Sequence, residues 1–438
     1  MTLRRSDRRG ARAWAGGAIV ASALLAFGLV RPADGSPTFF VLLALATVGY
    51  FATLHQVANG LRPSPRTLLV CAAVALAWRI PMVLAPPEPA ADLRRYVWDA
   101  NLVRAGLSPY AVVPADPAFA HLRTSESWPV NNADVPSPYP PGAQLFFLAA
   151  TTLSASARAL KLAALLCDAL LALVVWRSLV VARANPGWVL AYLWSPLVSL
   201  EVARHGHVDV AGALLIAVAA LAFMRGRPMG GSIALALSIA VKPIPIVLLP
   251  LLWRRVSLRH AVAGLAVPLA LYVPFWGRHH LPLGSIPEVI DRFRFNGPIF
   301  SGVESLAGPG AATAFAIAVG LAVAAWARRR LPLASPEAWA WPMAAALLCA
   351  PLVYPWYLLW LAPFLVATET VPLAIWSVSV LGTYVAWRLV GVPWGIPGWA
   401  LLVEYGALLG AGLWFLRRGR LRSGAELSSA PAPSTSAQ

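Results

Sequence analysis

Four residues, Asp92, Arg95, Tyr96 and Asp99, recur at helical spacing within the polar stretch ADLRRYVWDANLVRAG. On a helix of 3.6 residues per turn they fall within an arc of roughly 100°. Two carboxylates, a guanidinium and a phenol then face the same way. Such a set suits removal of a hydroxyl proton by an acid residue, with cations to hold an anionic group. A carboxylate at a membrane interface loses part of its hydration, which raises its pKa and makes it a stronger base. Asp92 is therefore the first candidate for a base and Asp99 the second, while Arg94 and Arg95 could clamp a phosphate bidentately. The plainer alternative pairs both acids with their neighbouring arginines as solvated loop charges. Trp98 and Tyr96 beside Asp92 favour the chemical reading for that residue.

Further chemistry is scattered along the chain. Tyr110 in SPYAVVPADP and Tyr139 in PSPYPP sit in stiff, proline-rich segments, where their rings could stack on a sugar or simply brace the loop. LEVARHGHVDVAG, residues 200–212, carries Glu201, Arg204, His205, His207 and Asp209 between two apolar runs. Three ligands on five residues fit no helix face well, so His205, His207 and Asp209 read as phosphate or sugar contacts and not as a metal site. Lys242, one of only two lysines, lies deep in ALSIAVKPIPIVLLP. A charge at such depth is costly and marks a functional contact or a water-lined cavity, against the alternative of snorkelling. Arg79 in LAWRIP invites the same reading, or pairs with an acid of the following loop. Asp168 is a further buried acid, expected to pair with Arg158, Lys161 or another helix. In CAPLVYPWYLLWLAPF, Tyr354 and Trp356 belong either to an aromatic belt or to a proline-broken pocket for a headgroup.

The elements that must position these residues are membrane helices. The chain is 59% hydrophobic and 12% charged, with a mean hydropathy of +0.68, where a globular chain carries about 25% charge. The apolar runs are too long for barrel strands, so an all-α polytopic bundle is expected. The net charge of +17 comes from arginines at the ends of apolar runs, where orientation signals belong, which argues against nucleic-acid binding. Three isolated cysteines read as small core residues. The amino-terminal MTLRRSDRRGAR followed by an apolar run suits a signal anchor.

Candidate spans are 13–30, 38–58, 67–85, 142–156, 160–181, 187–203, 208–224, 230–253, 259–276, 311–327, 338–353, 355–367, 371–389 and 398–416. Several are short, so a count of roughly 11 to 14 is expected. The organisation is then helices in 1–85, an external loop at 86–141, a bundle over 142–420 and a disordered tail at 421–438. A second external loop covers 277–310, where IPEVIDRFRF could be an interfacial helix with Phe293 and Phe295 near the headgroups. Basic residues at 4–12, 62 and 66, 254–259, 328–330 and 417–422 all fall inside on one threading, with both termini cytoplasmic and 86–141 outside. That threading puts the 201–209 turn inside, away from the loop, and Arg225 and Arg227 outside.

DLRRYVWDANLVRAGLSPY, PSPYPPGAQLFF, SPLVSLEVARHGHVDV, SIAVKPIPIVLLPLL and VYPWYLLWLAP, in that order, resemble the bacterial polyprenyl-phosphate-sugar glycosyltransferases of the GT-C superfamily, and mannosyltransferases among them most. The likeness spans most of 65–370 and departs at Ala100, Val208 and Tyr354. It implies an enzyme of the bacterial inner membrane that moves a hexose, mannose first, from a polyprenyl-phosphate donor to a glycan or lipid-linked acceptor outside, with inversion. It also places the first-loop acid of such enzymes on Asp92. The leaving group is already anionic and lipid-borne, so no cofactor is required, although Asp92 with Asp99 could hold a divalent cation. A transporter or flippase of lipid-linked sugars is the rival reading, but it would collect its charge at the bilayer midplane and not in one loop.

Overall fold

The computed structural model describes residues 5–87, 92–276, 283–389 and 395–428. It is helical throughout, and among the described residues the only β pairing is a single bridge between Phe295 and Leu352. Among the described residues, seven helices are long and apolar enough to cross a membrane. The chain is an all-α polytopic membrane protein.

The first three helices, α1 (Arg5–Val30), α2 (Pro37–Ala58) and α3 (Pro65–Leu84), form an antiparallel trio. Ser36-Pro37 and Ser64-Pro65 start the second and third: each serine hydroxyl accepts a bond from the backbone N–H three residues on, and each proline fills a position whose N–H has no helical partner. After α3 comes the polar region. It begins with α4 (Asp92–Arg104), runs through turns with a small apolar core of Trp98, Leu102, Val112 and Val130, and ends in α5 (Pro141–Ala150).

Helix α5 does not cross. It has 10 residues and so spans about 15 Å, half of a bilayer's hydrocarbon core. The Arg104 guanidinium donates to Leu148 O and Thr151 Oγ1 at its far end, and Glu126 accepts from the Ala157 N–H. Both ends therefore stay on the face that carries the loop. The expected span 142–156 is corrected accordingly.

From there α6 (Ala157–Val181) crosses to the opposite face, where Asn185 donates to Leu61 O in the α2–α3 turn. Residues 186–204 return in short broken helical pieces, the last of them a π-helical turn, Ser199–Arg204. Next, α7 (Asp209–Met224) descends and α8 (Pro228–Val241) climbs back, stopped by Lys242 in extended conformation ahead of Pro243. The stretch after Lys242 is a separate descent, the 3₁₀ segment Ile244–Leu252, which ends where Arg328 donates to Trp253 O at 2.8 Å. Thus the expected span 230–253 is two passes, not one.

These two corrections cancel. Every segment between them lies on the side opposite to the expected one, and every segment after them lies where expected. The 205–208 turn joins the loop face, and Arg225 and Arg227 join the other basic clusters. The remaining passes are α9 (Leu258–Tyr272), α10 (Pro298–Ala307) leading into α11 (Pro309–Arg330), α12 (Glu337–Leu348), the broken stretch 355–364, α13 (Val371–Ser379) with its 3₁₀ continuation to Arg388, and α14 (Gly398–Ser428). Helix α14 takes up the start of the expected tail, and residues 429–438 lie outside the described residues, as do Glu88 and 277–282 of the two external loops. The short helix in the second loop is Ile286–Arg292, but Phe295 is buried and not at a headgroup surface.

Candidate active site at the loop face

A cavity of about 860 Å³ opens under the polar loop that follows α4. Its polar end is lined by Asp92, Asn131, Tyr139, His207 and Lys242, and its apolar flank by Ile244, Val247, Ile317 and Leu347 among others. Charge and hydrocarbon therefore share one space.

Asp92 opens α4 and hangs at the mouth of this cavity. Asn131 donates to its Oδ1 at 3.1 Å and Tyr139 to its Oδ2 at 3.2 Å, with His207 Nδ1 at 3.8 Å. Burial pushes the carboxyl above the usual aspartate range, against the opposing pull of those hydrogen bonds and of the Lys242 charge. The carboxylate thus has two fixed donors and lines open space.

Asp99 is elsewhere. It is fully buried, accepts from Arg95 Nε at 3.2 Å, from Gln144 Nε2 at 3.1 Å and from the Ser137 hydroxyl, and does not line the cavity. The helical stripe is real, but its members face different environments. Asp99 is an anchor, so the expected Asp92–Asp99 cation pair is not formed. Arg95 spends its guanidinium on Asp99 and on the carbonyls of Asn131, Asn132 and Val135, which pins the loop that presents Asn131. Tyr96 is buried, stacked on Phe147 at 4.2 Å and edge-on to Tyr139 at 5.1 Å.

Arg95 nevertheless lines the cavity, whereas Arg94 and Arg79 are engaged away from it. Arg94 donates to Ser125 O and Trp128 O. Arg79 is buried against Asp168 at 2.7 Å and Leu193 O at 3.0 Å, so Asp168 pairs with α3 and not with Arg158 or Lys161. Tyr110 donates to Tyr139 O and braces the loop. Lys242 remains. Its ammonium meets Asp209 at 2.8 Å and the Tyr357 ring at 4.0 Å, and it lines the cavity. Asp209, itself buried and held by Trp360 Nε1 at 2.7 Å, orients that lysine and does not line the space.

The HGH turn depends on Gly206, whose φ of +72° is costly for any residue with a Cβ. A Cβ there would also sit 2.9 Å from Leu93 on α4. Likewise Gly142 lets α5 approach the end of α8, since a Cβ would lie 2.7 Å from the Ala240 carbonyl. These two contacts seat α4, the turn and Lys242 around one point.

His207 begins an aromatic ladder: it stacks on Trp356 at 4.2 Å, Trp356 on Tyr354 at 4.5 Å, and Tyr354 on Phe295 at 4.6 Å. His205 and His207 both line the cavity, and both approach the fully buried Glu201 at 3.3 Å. Glu201, His205 and His207 have ligand-type atoms within 4.8 Å of one another, although Tyr384 and Asp34 already bond to this group. Sequence reasoning missed Asn131, Asp34 and Tyr384. Asn131 and Asp34 are ordinary polar loop residues, and nothing local sets them apart.

Residues 11–257 match the family described as alpha-(1->6)-mannopyranosyltransferase, N-terminal domain. The chain belongs to that family. A search of curated proteins finds no match. The match covers Asp92, the loop, the HGH turn and Lys242, and stops short of Tyr354 and Trp356. The protein is a GT-C type mannosyltransferase of the membrane.

Proposed function

We propose that the mannosyltransferase takes mannose from a polyprenyl-phosphate carrier and transfers it, with inversion, to a glycan or lipid-linked acceptor at the outer face of a bacterial plasma membrane, with both termini in the cytoplasm. One observation carries the reading: a single cavity joins a half-buried carboxylate, an ammonium and an apolar flank. Each part of a lipid-linked sugar phosphate has a counterpart there. The prenyl chain lies along Ile244, Val247 and Ile317, and the phosphate meets Lys242. The mannose ring packs on the Trp356 and Tyr354 faces, whose quadrupoles favour C–H edges.

In the reaction Asp92 accepts the proton of the acceptor hydroxyl, whose oxygen attacks the anomeric carbon opposite the phosphate. The bond from that carbon to the phosphate oxygen breaks, and the charge left on the phosphate is held by Lys242. Asp209 and Tyr357 keep the ammonium in place before donor arrives. No step requires a metal from these residues.

Asp92→Asn tests this directly. Purified variant should still bind polyprenyl-phosphate mannose but lose transfer to an acceptor by about 10²–10⁴-fold, the usual contribution of general-base catalysis. Undiminished transfer would remove Asp92 from the chemistry. A β-linked product from the β-linked donor that an inverting α-mannosyltransferase requires, read by NMR, would rule out inversion.

A further inference from the structure

We infer that Asp92 does not keep the proton it takes: His207, Glu201 and His205 relay it to Asp34 at the rim of the cavity. The inference rests on the proposed transfer with Asp92 as base.

The groups alternate acid and imidazole. Asp92 Oδ2 lies 3.8 Å from His207 Nδ1, and His207 Nε2 lies 3.3 Å from Glu201 Oε2. The same Glu201 oxygen is 3.3 Å from His205 Nδ1, and His205 Nε2 is 3.2 Å from Asp34 Oδ2. Each imidazole thus meets one acid through each nitrogen, so a proton can enter on one side while another leaves on the far side. Asp34 sits in the 31–36 turn with its side chain 12% exposed, next to the exposed Ala33. There the path reaches water.

Two features separate a relay from a structural cluster. His207 Nδ1 is buried and has no hydrogen-bond partner, yet it faces the base. A histidine serving only to brace the turn would have both nitrogens satisfied. Moreover, Glu201 is fully buried in an apolar bundle, a costly placement that by default signals use. The 3.8 Å gap suits a catalytic contact that closes when substrate fills the cavity.

The protons and electrons balance. The acceptor O–H bond breaks as its oxygen bonds to the anomeric carbon, and the electron pair of the departing C–O bond stays on the phosphate. Asp92 takes the proton and passes it to His207 Nδ1. His207 then gives its Nε2 proton to Glu201, which protonates His205 Nδ1, and His205 releases its Nε2 proton through Asp34 to water. Other titratable or charged groups facing this path are Lys242, Asp209 and Tyr139 beside Asp92, and Arg204 and Tyr384 beside His205.

The test uses full-length protein in detergent, a short-chain polyprenyl-phosphate mannose as donor and octyl α-mannoside as acceptor. His207→Gly should lower kcat about tenfold or more, a smaller loss than the roughly 10²–10⁴-fold for removing the base itself, while donor KM changes little. Imidazole should restore turnover in a saturable way, and pyrrole, of the same shape without a basic nitrogen, should not. Glu201→Gln should show the same loss without rescue by imidazole. If Glu201→Gln fails to fold, Asp34→Asn decides: its kcat should drop in dilute buffer and recover as buffer concentration rises. Wild-type kcat in His207→Gly, equal rescue by pyrrole, or a buffer-independent Asp34→Asn with full activity would each overturn the relay. An inactive wild type would instead sink the proposed transfer, and the relay with it.

Discussion

Asp92 and Asp99 are two turns apart on one helix, and the fold gives them opposite tasks. Asp99 is surrounded by three donors, one of them the buried Arg95. Replacing it with alanine leaves that buried guanidinium with carbonyl partners but no counter-charge, which costs about 3–5 kcal/mol. Asp99→Ala should therefore lower the thermal unfolding midpoint in detergent, whereas Asp92→Asn should leave the midpoint nearly unchanged and remove activity. If the two variants were equally stable, Asp99 would not be an anchor. Asp92 also predicts a pH effect. A base must be ionised, so kcat/KM falls as pH drops through its pKa, which burial sets above the usual aspartate value. Asn131 donates to the carboxylate and so favours the ionised form. Asn131→Ala takes that support away, and the acid limb of the kcat/KM profile should move to higher pH. Lys242, Asp209, Tyr139 and His207 also face Asp92, and all remain in the variant. A limb that stayed in place, or moved down, would show that another group controls it.

At the scale of elements, what was legible in the sequence was each helix's identity, and what was hidden was its neighbours. The helix Asp92–Arg104 could be read from its polar stripe and its flanking prolines and glycine. Its facing could not, because the partners that bury Asp99 and Tyr96 come from Ser137, Gln144 and Phe147, some 40 residues on. Lys242 could be singled out because a lone lysine in an apolar run is costly. Arg79 met the same criterion and turned out to be an internal strut to Asp168. Depth alone does not separate a ligand from a strut; only the presence of open space beside the charge does. The HGH turn shows how elements are keyed together. Gly206→Ala forces a left-handed conformation that costs about 1–2 kcal/mol and drives a methyl group to within 2.9 Å of Leu93. Such a change should pull His207 away from Asp92 while leaving the bundle intact. The variant should insert and purify normally, with kcat reduced more than donor KM is changed. Equal activity would mean that the turn does not set the position of His207.

At the scale of the whole molecule, hydropathy marks apolar runs but not how many times each one crosses. A 10-residue helix capped by a polar loop at both ends looks like a short span, and a proline-broken run such as 230–253 looks like one long span when it is two. With both corrected, Arg62, Arg183, Arg225, Arg227, Arg254 and Arg328 share one face, and Asp34, Asp92, His205 and His207 share the other. This removes the one disagreement with the rule that basic residues stay in the cytoplasm, and it brings the HGH turn to the base. The arrangement predicts a labelling pattern. Single cysteines would be placed at Asp116, Leu153, Gly226 and Arg254, all exposed positions, in a background without the native cysteines. A membrane-impermeant maleimide should label 116 and 153 in intact cells, and 226 and 254 only after permeabilisation. The informative pair is 153 and 226, because a threading in which α5 crosses and 230–253 is a single span would invert both relative to 116 while leaving 254 unchanged. Labelling of 226 from outside would separate the HGH turn from Asp92 by a membrane thickness, and no single cavity could then hold them both.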